Sequence, residues 1–122
     1  MKLTTTISIM LLSTLSAYSQ LIVDGVNINE VKGLEFVQIV GKGKLFNDDI
    51  NIKIDYGQQR SLFKPKKMNL QDKDGKKLNF QSIIHAMNFM NSNGWEYIDS
   101  HIITLEGFGG NQNVYHFLFK RK

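Results

Sequence analysis

The chain has 122 residues, 15 lysines and arginines against 11 acids, and a net charge of +4 with acids and bases interleaved. That balance is too mild to mark a nucleic-acid surface. The absence of cysteine excludes disulfides, a thiol nucleophile and a lipid anchor after a leader, so stability has to come from packing.

Residues 1–19 begin with basic Lys2, continue through an apolar stretch and end in Ala17-Tyr18-Ser19. This is the pattern of a secretory signal peptide, its apolar part too short to span a bilayer. It predicts an exported protein, periplasmic or secreted, with no integral membrane segment after cleavage. Residues 20–122 then form a single domain with one core. The opening stretch, LIVDGVNINEVKG, reads as an arm or short edge strand. Residues 34–40 read as a strand with apolar residues on both parities, placed inside the sheet and covered on both faces.

Ile50, Ile52, Ile54 and Tyr56 alternate with Asn51, Lys53 and Asp55, the signature of an antiparallel strand with one wet face. Turn residues bracket Leu45-Phe46 between these two strands. After a brief apolar return at residues 61–63, Pro65 favours an edge. Met68, Leu70, the Asp74-Gly75 dipeptide, Leu78 and Phe80 then predict a small hairpin. Asn79 can cap a helix in which Phe80, Ile83, Ile84, Met87 and Met90 share a face, and Gly94 can end it in the left-handed conformation. On a helix phased from Phe80, Phe89 falls roughly opposite that face. Residues 95–106 open on the only tryptophan and are rich in strand formers, GFGGNQN forms a hairpin loop, and residues 114–122 close the sheet.

The expected fold is therefore α+β: an antiparallel β-sheet with one main helix packed on one face, a two-layer sandwich with strands before and after the helix. Gly94-Trp95-Glu96-Tyr97-Ile98, followed at the end by the aromatic run 114–119 and Lys120-Arg121, resembles small bacterial domains of unknown function in which a helix ends in Gly-Trp-Glu-aliphatic. The string 84–95 and the leader look like exported proteins of Gram-negative bacteria. The resemblance implies fold and export; its motif is a helix-to-strand joint and implies no catalytic residue.

Catalytic and metal signals are sparse. His85, His101 and His116 are the only histidines, with no H-x-x-x-H spacing, whereas zinc needs three or four converging ligands. Asp72-Lys73-Asp74-Gly75 has its glycine too early for an EF-hand and lacks the closing glutamate. The glycine-lysine run at 41–44 and the glycines at 107–110 precede no helix, so neither is a phosphate loop. No serine sits in a G-x-S-x-G elbow.

The sequence thus points to a non-enzymatic exported binding or interaction module without cofactor, partnered by a second copy or an envelope protein. Its candidate surface comprises Phe89 with Tyr115, Phe117 and Phe119 of the last strand, and the basic Lys64, Lys66 and Lys67, which suit an anionic envelope component. The alternative is a small hydrolase or metal-binding protein using Asp99, His101 and His116, two of them on strands that the last hairpin makes neighbours.

Overall fold

A computed structural model describes residues 20–42, 51–59, 67–107 and 109–122. The expected leader at 1–19, the expected turn bracketing Leu45-Phe46, and the 61–65 segment with Lys64, as well as Lys66, lie outside the described residues. In chain order the elements are β1 (Ile22–Val23), β2 (Val26–Asn27), β3 (Phe36–Lys42), β4 (Asn51–Asp55), β5 (Leu70–Gln71), α1 (Ile83–Ser92), β6 (Trp95–Leu105) and β7 (Gln112–Arg121).

The fold is α+β and antiparallel throughout, but the strands form two sheets, in the orders β2-β1-β5 and β4-β3-β7-β6. This corrects the expectation of one sheet and one helix in a two-layer sandwich. The opening stretch is no loose arm. Asp24 (φ 47°) and Gly25 (φ 86°) occupy the left-handed region that a tight hairpin turn demands, folding β1 onto β2. Asp24 also takes the Asn69 N–H on its Oδ1 and gives its own N–H to the Asn69 carbonyl, both at 2.8 Å, which fastens β1 to β5. Leu21, Val23 and Ile28 are fully buried as a result.

The predicted 68–80 hairpin forms as expected. Asp72 Oδ1 accepts from the amides of Asp74 and Lys76, and Gly75 (φ 77°) completes the turn. The Asp72 carboxylate is thereby committed to its own turn.

In the larger sheet β3 is internal, paired with β4 on one side and β7 on the other. Val37 and Ile39 of β3, Ile52 and Ile54 of β4, and Phe117 and Phe119 of β7 share the face turned to the core. The other face of β3 is less covered than its composition predicts: Phe36 is 51% exposed.

The helix begins later than the sequence suggests. Ser82, not Asn79, is its N-cap, the hydroxyl accepting the His85 N–H at 3.1 Å. Phe80 is therefore outside the helix, and a wheel phased from it misplaces its neighbours. The buried stripe is Ile83, Ala86 and Met90, with Met87 beside it. Ile84 and Phe89 each lie about 110° from the centre of that stripe, on opposite sides. Ile84 stays 63% exposed, whereas Phe89 is half-buried because the Phe80 ring folds back against it, edge-on at 5.4 Å. The helix ends where predicted: Asn93 caps it and Gly94 enters the left-handed region at φ 89°.

Asn93 and Arg121 tie residues 28–34 to this core. Asn29 Nδ2 donates to the Asn93 carbonyl at 2.7 Å, and Asn29 Oδ1 receives the Leu21 N–H at 3.1 Å. The Arg121 guanidinium donates to four backbone carbonyls, those of Leu34 (2.7 Å), Asn29 (2.8 Å), Val31 (3.1 Å) and Ile28 (3.4 Å). Its central carbon stands 4.9 Å from the centroid of the buried Trp95 ring, a cation–π arrangement. Trp95 Nε1 is buried with no hydrogen-bond partner among the described residues. The indole therefore stabilises the fold through packing and its π face rather than its N–H.

Candidate interaction surface

The residues named from sequence separate into core and surface. Phe119 is fully buried, with its ring edge-on to Tyr97 at 6.0 Å. Phe117 and Phe89 are half-buried and pack on the core. Tyr115 is half-buried between Gly41 of β3 and Ile102 of β6. Lys67 is exposed. The aromatic residues of β7 thus serve chiefly to hold the sheet on its core, since β7 is an internal strand and Phe119 belongs to, and Phe117 packs against, the hydrophobic cluster that holds Leu21, Met90 and Trp95.

His101 and His116 do meet. They are opposite one another across β6 and β7, their rings stacked with centroids 4.6 Å apart and planes 4° from parallel. His116 Nδ1–H donates to Gln38 Oε1 at 3.3 Å, because the amide oxygen can only accept. Burial lowers the His116 pKa below its usual value of 6.5, the neighbouring His101 lowers it further, and Asp55 acts in the opposite sense. Asp99 is on the same sheet face, opposite Leu118. Its Oδ1 accepts the Ser100 N–H at 2.8 Å, and among the described residues no hydrogen bond joins it to either histidine. No group of three or more His, Cys, Asp or Glu side chains is placed to hold a metal ion among the described residues.

The feature that sequence reasoning passed over is β6 itself. It is the edge strand of the larger sheet and runs for eleven residues, and every residue after Trp95 is exposed. A β-bulge falls between Tyr97 and Asp99. Beyond it Ser100 and Ile102 point to the same side as Phe117 and Tyr115, while Asp99, His101 and Ile103 point to the opposite side with Leu118, His116 and Val114. Tyr97, Ile98, Ile102, Ile103 and Leu105 are 43–60% exposed, so both sides of the strand present apolar surface. Such an edge is a template for another strand.

The signal was in the sequence: five large apolar residues on both parities with no Lys, Arg or Pro to guard them. What the sequence did not reveal was that α1 covers only the beginning of this strand. No helix among the described residues is long and apolar enough to cross a membrane.

No family model, curated protein or solved structure matches this chain. The geometry of β6 and of the histidine face is therefore the basis for a functional reading.

Proposed function

We propose that this protein is an exported, non-enzymatic interaction module that works through the open edge of its larger sheet. The observation carrying this reading is the eleven-residue edge strand, exposed at every position after Trp95 and apolar on both faces. Main-chain groups of an edge strand give affinity to an added strand, and the side chains on either face select it. Export is read from the basic-apolar-small pattern of residues 1–19. The likeness of the Gly94-Trp95-Glu96 joint to exported bacterial domains points the same way and suggests an envelope setting.

The test is photo-crosslinking in the exported fraction. A photoreactive residue at Ile102 should capture a partner, and the same residue at exposed Asp74, on the hairpin of the smaller sheet, should not. Equal or absent capture at the two positions would remove the reading.

A metal-binding role through His101 and His116 is the second reading, favoured by their stacking on an open face. Titration of Zn²⁺ or Cu²⁺ into the mature protein, followed by the imidazole NMR signals, tests it. Signals of both rings that shift together, and stop doing so in His101→Ala, would support it; unmoved signals would end it.

A further inference from the structure

We propose that the occupant of the β6 edge is a second copy of this chain, added antiparallel with β6 against β6 about a twofold axis through Ser100. The inference rests on the interaction-module reading and names its partner.

The two edges of the larger sheet differ in how they are closed. At the β4 edge, the Ile54 N–H is met by Met68 Sδ at 3.1 Å and the Ile54 carbonyl by Gln58 Nε2 at 2.8 Å, so side chains occupy the positions an added strand would use. At the β6 edge, among the described residues, no element other than β7 makes a hydrogen bond to the strand backbone. Its protective devices are the bulge, which leaves the run from Asp99 to Leu105 in regular register, and Asp99 Oδ1, which takes the Ser100 N–H at 2.8 Å.

The strand is also self-complementary. Just past the bulge, Asp99-Ser100-His101 reads, from either end, as an ionisable residue, serine, and an ionisable residue of the opposite kind. A twofold axis makes every contact twice. With the axis at Ser100, Asp99 opposes His101 of the second copy and His101 opposes its Asp99. Asp99 and His101 are on the same sheet face, as cross-strand partners must be. An axis at Ile102 would instead set Asp99 against Leu105 and His101 against Ile103. An axis at His101 would set Asp99 against Ile103. Only the Ser100 axis pairs the acid with the imidazole, and it joins two four-stranded sheets into one continuous sheet.

Sedimentation velocity of the mature protein, from low micromolar to near-millimolar concentration, is the experiment. A concentration-dependent dimer is expected, and Ile102→Lys should abolish it. Asp99→Lys and His101→Asp should each weaken it about tenfold, two cross-strand pairs being lost per interface, and the double variant should restore it. All these positions are exposed, and circular dichroism with a thermal melt confirms that each variant is folded. A monomer at every concentration overturns the proposal, as does a dimer indifferent to Ile102→Lys. A dimer broken by either single change and not restored by the pair overturns the Ser100 axis. Failure here with retained crosslinks at Ile102 to other proteins removes only the second copy; loss of those crosslinks as well removes the interaction reading.

Discussion

Arg121 concentrates more interactions than any other side chain described above. It supplies donors to four carbonyls between Ile28 and Leu34 and covers the Trp95 ring. Arg121→Ala should lower stability by about 2–4 kcal/mol, since hydrogen bonds to a charged group are the stronger kind and part-buried carbonyls would lose their donors. Arg121→Lys should recover less than half of that, because an ammonium cannot reproduce the planar fork; urea denaturation measures both. His116 yields a second prediction. Its folded pKa is lowered by burial and by His101, so the unfolded chain takes up a proton that the folded one resists. Its contribution is complete above the unfolded value of 6.5 and is lost as pH falls from there through the folded pKa. Melting temperatures followed from about pH 8 to about pH 5 should therefore fall on the acid side. His116→Gln, which keeps a partner for Gln38, should flatten that dependence.

Among the elements, the helix shows where the sequence was legible and where it was not. Its stop at Gly94, the following strand, the 68–80 hairpin and the internal position of β3 all follow from local chemistry: a left-handed glycine, a change of period, an Asp-Gly turn and a continuous apolar run. Its start did not, because Asn79 and Ser82 are both good caps and only tertiary packing of Phe80 decides between them. That three-residue difference is what makes Phe89 half-buried. Phe89→Ala should cost about 2 kcal/mol, roughly half the figure for a fully buried phenylalanine, in a thermal or chemical melt. A change under about 0.5 kcal/mol, typical of surface substitutions, would instead mark Phe89 as free surface. The burial of the aromatic residues named for the candidate surface was not legible for a related reason. Aromatic alternation in β7 looks the same whether a strand is internal or at an edge, and strand order is a long-range property that no local window contains. The meeting of His101 with His116 was foreseeable from the hairpin, though not its register, because the seven-residue loop sequence at 107–113 allows several.

For the molecule as a whole, the two sheets share one core rather than forming independent units. Leu21, Val23 and Ile28, in and around β1 and β2, belong to the same cluster as Trp95 and Phe119. Leu21→Ala should therefore cost about 2–4 kcal/mol and move the Trp95 fluorescence transition and the backbone circular-dichroism transition by the same amount. Separate midpoints would show two cooperative units instead. The guanidinium of Arg121 also sets a timetable. It reaches back 93 residues to Ile28, and β7 must arrive before β3 has its second neighbour. At the usual pace of about 5–20 residues per second, the 28–34 segment waits roughly 5 to 20 s after synthesis for the residue that holds it. During that interval the chain has no finished core, which is the condition a protein needs if it is to be threaded across a membrane before it folds.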